Sequence, residues 1–157
     1  MERRLAAILA ADVVGYSRLM GKDEETTLAT FNDYRAVIDG LIAIHTGRVF
    51  GSAGDSVIAE FASPVEAVRC ATEIQLEINN RNAELPEANR MRFRIGINLG
   101  DVVVDGDNLM GDGVNVAARL EAMARARPKK RSAWSKSKTS RPRKGDLTCS
   151  SDASGTR

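Results

Sequence analysis

The chain has 157 residues, 43% of them hydrophobic, and a formal net charge of +2, which suits one domain with its own core. Cys70 and Cys149 are the only cysteines, and their positions form neither a disulfide framework nor a zinc motif, so we expect a reduced, cytoplasmic setting. No apolar stretch of this sequence is long enough to cross a bilayer, which excludes a membrane span within it.

The charge is distributed unevenly along the chain. Residues 1–124 carry 12 Lys/Arg and 19 Asp/Glu, whereas residues 125–157 carry 11 Lys/Arg and 2 Asp/Glu. The acidic part shows regular apolar periodicity, while the basic part has one aromatic residue, Trp134, and hardly any aliphatic ones. We therefore predict a folded domain over 1–124 and a basic, low-complexity, disordered tail over 125–157.

The first half of the acidic part predicts a central strand, a helix and a hairpin. Residues 4–14 are apolar on both faces, as in a strand in the middle of a sheet. Apolar residues recur at helical spacing over 24–45, and Gly47 is a suitable C-cap. Residues 48–50 and 57–61 have the pattern of two strands joined by a tight turn.

The second half continues with helices and strands in alternation. Ser63 is followed by Pro64 and Glu66, which predicts a capped helix over 63–82. Strict alternation predicts a strand over 91–99, and the glycine and aspartate that follow predict a turn into another strand over 102–104. A last helix is expected over 112–123. The order β-α-β-β-α-β-β-α predicts an α+β fold, with helices packed on a mixed or antiparallel sheet.

Two aspartates stand where a ligand could approach the backbone. Asp12 closes the first apolar run and is followed shortly by Gly15, and Asp55 lies in the glycine-containing turn of the predicted hairpin. A pair of carboxylates is the oxygen donor set that Mg²⁺ or Mn²⁺ prefers. Each residue alone also has a plain structural interpretation, a hydrogen-bonded strand end for Asp12 and a turn former for Asp55.

A third motif lies on the last predicted helix. Asn115 and Arg119 are four residues apart, so they share one helix face. Arg119 alone would more often be a solvated arginine paired with a glutamate. Together with the aspartates, the segment from Gly111 to Arg119 indicates nucleotide chemistry.

These segments, together with Arg94-Ile95-Gly96-Ile97-Asn98-Leu99-Gly100, resemble the class III adenylate/guanylate cyclase catalytic domain, and most closely its bacterial adenylate cyclase type. The resemblance covers roughly residues 3–124. It implies a ferredoxin-like nucleotide cyclase fold and the conversion of ATP to 3′,5′-cyclic AMP and pyrophosphate. That reaction would serve cyclic nucleotide biosynthesis and intracellular signal transduction.

The resemblance also implies a role for each matching residue. Asp12 and Asp55 would hold two ions of Mg²⁺ or Mn²⁺, with the Val13 carbonyl as a further ligand. Backbone N–H groups of Val14, Gly15 and Tyr16 would bind phosphate oxygens.

The resemblance implies that the remaining two matched residues are supplied by the second subunit of a dimer. Asn115 would orient the ribose, and Arg119 would stabilise charge on the α-phosphate. In the family the aspartates come from one subunit and the Asn/Arg pair from the other, so a homodimer is expected to be the active form.

The sequence departs from the family pattern at the base-recognising positions and after Met123. Gly51 replaces the lysine that recognises adenine, and Asn108 replaces an aspartate, so the choice between ATP and GTP stays open. The family continues beyond Met123 with strands, a helix and a phosphate-contacting lysine. We find no equivalent of them, so we expect a domain that is incomplete at its C-terminus, with a truncated or frameshifted end.

Other interpretations are a non-catalytic cyclase-homology module that regulates or binds nucleotide, and nucleic-acid binding through the basic tail. The tail lacks amphipathic periodicity and interleaved aromatics, so we disfavour a nucleic-acid partner. His45, the only histidine, is expected at a helix end on the surface.

Overall fold

The computed structural model describes residues 2–105 and 108–124, and the predicted tail over 125–157 lies outside them. The secondary structure elements are β1 (Glu2–Val13), α1 (Tyr16–Met20), α2 (Glu24–Ile44), β2 (Arg48–Ala53), β3 (Ser56–Phe61), α3 (Pro64–Glu84), a 3-10 turn (Glu87–Asn89), β4 (Phe93–Asp105), β5 (Asn108–Met110) and α4 (Asp112–Met123). The predicted helices over 24–45, 63–82 and 112–123 are confirmed as α2, α3 and α4. The short α1 and β5 were not predicted.

The sheet has the strand order β2-β3-β1-β4-β5, and every neighbouring pair is antiparallel. This confirms the α+β prediction. Alternate residues of the central strand β1 point to opposite sides of the sheet, and both sides are buried. Ala7 and Leu9 belong to the core beneath α2 and α3, whereas Ile8 packs with Ala117 of α4 on the other face.

Strand register places the two aspartates side by side. Ala11 of β1 lies opposite Val57, so the end of β1 reaches the turn between β2 and β3. Gly54 adopts a left-handed φ of 59° in that turn, a conformation that glycine enters without strain. Asp55 follows it directly, next to the end of β1.

The predicted turn at Gly100 and Asp101 is wrong, because β4 runs through both residues. Gly100 pairs with Ala6 and Asp101 with Leu5, so the long β1 supplies partners along the whole of β4. The glycine reflects close packing against α4 instead, since a Cβ at position 100 would lie 3.3 Å from the Gly113 Cα.

His45 is buried, which corrects its predicted surface position. It caps the C-terminus of α2, and its Nδ1 lies 2.7 Å from Glu66 Oε2 while its Nε2 lies 3.1 Å from Glu73 Oε2. The hydrogen bond to Glu66, followed by that to Glu73, raises the pKa of His45 above its usual 6.5. When protonated, the imidazole therefore joins α2 to α3 through these two carboxylates.

We expect this link to make stability depend on pH. A raised histidine pKa contributes stability that is complete below the unfolded-state value of 6.5 and is lost as pH rises through the folded-state pKa. The thermal unfolding midpoint of the wild type should fall over that interval, and His45→Gln should lack this component. Identical pH profiles for the two proteins would contradict the link.

Candidate active site

The Asp12 and Asp55 carboxyl groups meet at the end of β1. Asp55 Oδ2 accepts the backbone N–H of Val13 at 3.3 Å, and the two carboxyl groups are within hydrogen-bonding reach of each other. Burial, and then the neighbouring Asp12 carboxylate, raise the pKa of Asp55 from 3.8 to about 6. Such a pair of crowded like charges is stabilised when a cation binds between them.

Arg94 and Glu121 complete this cluster, and sequence reasoning assigned neither of them to it. Arg94 Nη2 donates to Asp12 Oδ2 at 2.8 Å, and its Nε lies 2.9 Å from Glu121 Oε1. Burial raises the pKa of Glu121, Arg94 opposes that rise, and the charges of Asp12 and Asp55 add to it. The sequence held one signal, because Glu121 continues the i+4 series that contains Gly113 and Ala117.

Helix α4 lies very close to the sheet beside this cluster. A Cβ at Gly96 would lie 2.2 Å from the Glu121 backbone nitrogen and 2.6 Å from the Ala117 carbonyl oxygen. Only glycine permits this approach. The short distance between α4 and the sheet places Glu121 next to Arg94.

Asn115 and Arg119 are exposed on the face of α4 that points away from the sheet. Within the described residues, no contact joins them to Asp12 or Asp55. The structure thus brings the two aspartates together in one chain and leaves the Asn/Arg pair separate from them.

The carboxylate pair suits a metal whose coordination is completed by substrate. The described part of the chain contains no group of three or more His, Cys, Asp or Glu side chains that could hold a metal ion. Mg²⁺ is commonly bound by one or two carboxylates together with substrate phosphates, and its other ligands are water. Asp12 and Asp55, with the Val13 carbonyl as the predicted third oxygen, therefore fit such an ion.

The loop after β1 differs from the prediction at one residue. The Val14 N–H donates to the Arg92 carbonyl at 2.8 Å, so it is not free to bind phosphate. Gly15 has a left-handed φ of 68°, and the N–H groups of Gly15 and Tyr16 have no acceptor among residues 2–105 and 108–124. The predicted phosphate contacts at this loop are thus reduced to Gly15 and Tyr16.

Comparison with known proteins identifies the family of this arrangement. Residues 3–130 match the family described as the Adenylate and Guanylate cyclase catalytic domain. The chain belongs to this family. Among the described residues of this cyclase domain, no helix has the length and apolar character needed to cross a membrane.

Relatives and solved structures agree with the assignment. The cyclase domain is 51% identical over 125 residues to "Putative adenylate cyclase 3" of Rhizobium meliloti (strain 1021), covering 79% of this chain and 21% of that protein. It is 30% identical over 125 residues to an adenylate cyclase of Streptomyces coelicolor (strain ATCC BAA-471 / A3(2) / M145), covering 79% of this chain and 31% of that protein. The chain therefore spans less than a third of the length of these curated relatives.

A solved structure from Silicibacter pomeroyi supports the same fold. That protein, described as an Adenylate/Guanylate Cyclase/Hydrolase, aligns with this cyclase domain at a TM-score of 0.74 and 46% identity. The alignment covers 79% of this chain and 73% of the other.

The two positions predicted to recognise the base are only partly described by the structure. Gly51 lies in β2 where the pairing with β3 shifts register, and a Cβ there would make ordinary contacts at 3.7 Å with Ile58. Asn108 begins β5 with its backbone opposite Asp105, and its side chain lies outside the described atoms. The predicted role of Asn108 thus stays a prediction.

Proposed function

We propose that this domain converts ATP to 3′,5′-cyclic AMP and pyrophosphate with two divalent cations, Mg²⁺ or Mn²⁺, in cytoplasmic signal transduction. The observation that carries the proposal is the meeting of Asp12 and Asp55 in one half-buried pair, with the pKa of Asp55 raised to about 6. Family membership and the names of the relatives support cyclase chemistry.

The chemistry divides between the cations and this chain's own residues. Divalent cations at Asp12 and Asp55 would lower the pKa of the ribose 3′-hydroxyl and neutralise phosphate charge. The ribose 3′-oxygen attacks the α-phosphorus in line, and pyrophosphate leaves. Arg94 holds Asp12 in place through their 2.8 Å hydrogen bond, and so positions the carboxylate pair before substrate arrives.

The second half of the site is expected from another copy of the chain. Asn115 would orient the ribose and Arg119 would stabilise negative charge on the α-phosphate. Both are exposed on α4 and do not contact the aspartates of their own chain, which supports a homodimer with shared sites.

Purified full-length chain incubated with ATP and Mn²⁺ should yield cyclic AMP, and Asp12→Ala should not. Mixing Asp55→Asn with Arg119→Ala tests the shared site. Each single variant should be inactive, while heterodimers retain one intact site, so about a quarter of wild-type activity should return if the subunits pair at random. Absence of product from the wild type would defeat the catalytic proposal, and activity without rescue would defeat the shared site.

A nucleotide-binding module without turnover is the second candidate, and Gly51 favours it because glycine offers no side-chain donor to adenine. Isothermal titration calorimetry that detects Mn²⁺-dependent ATP binding, together with no cyclic AMP, would support this candidate. Cyclic AMP formation excludes it.

We expect Gly51→Lys to increase the preference for ATP over GTP by about fivefold, because a restored hydrogen bond to the base contributes on the order of 1 kcal/mol. The first carbon of the new side chain fits, because a Cβ at position 51 would make an ordinary contact with Ile58 at 3.7 Å. The ratio of kcat/KM for ATP and GTP measures the effect, and Gly51→Met is the uncharged control of similar length. An equal change in Gly51→Met would show that packing, rather than recognition of the base, is responsible.

A further inference from the structure

One guanidinium is shared by two carboxylates at the end of β1. Arg94 Nη2 donates to Asp12 Oδ2 at 2.8 Å, and Arg94 Nε lies 2.9 Å from Glu121 Oε1. The side chains of Asp12, Arg94 and Glu121 are 23%, 27% and 11% exposed, so water screens their charges only in part. The position of the Arg94 side chain therefore affects how much negative charge the aspartate pair presents to a ligand.

The two contacts of Arg94 are unequal. Its contact with Asp12 is an aligned, charge-assisted hydrogen bond. Arg94 Nε and Glu121 Oε1 are shielded from solvent, yet neither atom has a hydrogen-bond partner among residues 2–105 and 108–124. Glu121 thus keeps an acceptor that a reoriented guanidinium can satisfy, because the planar group carries five N–H donors in a fork.

Glu121 acts on the aspartates through Arg94 rather than as a further metal ligand. The described residues contain no group of three or more His, Cys, Asp or Glu side chains that could hold one ion, so Glu121 does not join Asp12 and Asp55 in that role. Its backbone is held close to Gly96 by the packing of α4 on the sheet. A carboxylate so enclosed needs a cation beside it, and the structure places Arg94 there.

The arrangement gives the guanidinium a second place to go. A divalent cation and Arg94 would compete for the same Asp12 carboxylate, and two cations at one carboxylate repel each other strongly where water is partly excluded. Movement of the guanidinium onto Glu121 separates the two cations and keeps Glu121 paired. It also releases Asp12 Oδ2, the oxygen that Arg94 occupies in this structure.

We propose that Arg94 is an internal counter-cation that exchanges between two carboxylates: it neutralises Asp12 while the aspartate pair holds no metal, and it moves onto Glu121 when a divalent cation binds. Arg94 is a positioning residue in this scheme, because it acts on the metal site through Asp12, and Glu121 is the acceptor that makes its departure favourable. The exchange rests on the proposed function, because the divalent cation at Asp12 and Asp55 is part of that function.

Titration of Mn²⁺ into the nucleotide-free full chain, with free Mn²⁺ followed by electron paramagnetic resonance, tests the exchange. Glu121→Gln should weaken Mn²⁺ binding about tenfold, because Arg94 then has Asp12 as its remaining carboxylate partner in the cluster. Arg94→Gln should instead strengthen Mn²⁺ binding about tenfold, because the competing cation is gone. A purely structural role of the two residues predicts weaker binding in both variants.

The double variant Arg94→Gln/Glu121→Gln keeps the test informative if Arg94→Gln does not fold, because it removes both members of the Arg94–Glu121 pair together. It should bind Mn²⁺ more tightly than Glu121→Gln alone, with an affinity near that of the wild type. Arg35→Gln is the matched control, since Arg35 pairs with Asp39 on α2 at 2.8 Å and its side chain is 22% exposed. Its Mn²⁺ affinity should equal that of the wild type.

The exchange would be overturned by weaker or unchanged Mn²⁺ binding in folded Arg94→Gln, or by a double variant that binds no more tightly than Glu121→Gln. Undetectable binding by both the wild type and Arg94→Gln would overturn it as well. Circular dichroism establishes that each variant is folded, and cyclic AMP formation is measured on the same samples. Cyclic AMP formation by the wild type with the wrong order of Mn²⁺ affinities defeats the exchange alone. The expected order of affinities without cyclic AMP formation defeats the proposed function alone.

Discussion

Asp55→Asn should reduce cyclic AMP formation by at least about 100-fold while it stabilises the metal-free protein near pH 8. The loss of activity follows because even the outer-shell partners of metal ligands are worth roughly 10–100-fold. The gain in stability follows from the raised pKa of Asp55, which shows that the folded chain disfavours the charged carboxylate. Function and stability are therefore expected to oppose each other at this residue.

The sign of the pH effect can be stated from the two pKa values. The folded protein binds a proton at Asp55 up to about pH 6, whereas the unfolded chain releases it near 3.8, so stability falls as pH rises between these values. Above about pH 6 the metal-free wild type carries the full penalty, on the order of 1 kcal/mol after allowance for solvent screening. The uncharged amide of Asp55→Asn removes it.

Thermal unfolding in a chelator, at about pH 5 and at about pH 8, measures this effect, with Asp33→Asn on α2 as the control. The difference between wild type and Asp55→Asn should be larger at the higher pH. Added Mg²⁺ should raise the wild-type unfolding temperature and leave that of Asp55→Asn nearly unchanged. A variant that is less stable than the wild type at both pH values would contradict the raised pKa.

Gly96→Ala should destabilise the domain by about 3 kcal/mol, near the upper range of overpacking substitutions. The new Cβ would meet the backbone of α4 at 2.2 Å and 2.6 Å, and backbone atoms cannot turn aside as a flexible side chain can. Helix α4 must move away from the sheet, which also displaces Glu121 from Arg94. We therefore expect cyclic AMP formation to fall together with stability.

Gly40→Ala provides the matched control for this substitution. Gly40 lies within α2, and a Cβ there has nothing within 4 Å, so alanine should stabilise the helix by about 0.5–1 kcal/mol. Chemical denaturation with urea measures both variants. If the two variants changed the free energy of unfolding equally, or if Gly96→Ala were as stable as the wild type, α4 would be free to shift.

The local sequence determined the elements that carry the site. The doubly apolar run before Asp12 predicted a central strand, and β1 is buried on both faces; the capping pattern at Ser63 predicted α3, and the Ser63 hydroxyl accepts the Glu66 N–H at 3.4 Å. These features depend on residues within one or two turns of each other, where periodicity and capping chemistry act directly. The positions of Asp12 and Asp55 close to glycines are also a local pattern, and they predicted a site where a ligand could approach the backbone.

Tertiary structure alone decided which groups meet. The register of β1 against β4 pairs Arg94 with Asp12 and lets the Arg92 carbonyl accept the Val14 N–H. The distance of α4 from the sheet brings Glu121 to the same place. Gly100 is in a strand rather than a turn for the same reason, since the length of β1 and the nearness of Gly113 override its local preference. Cross-strand register and interlayer distance join residues far apart in sequence, so no local pattern contains them.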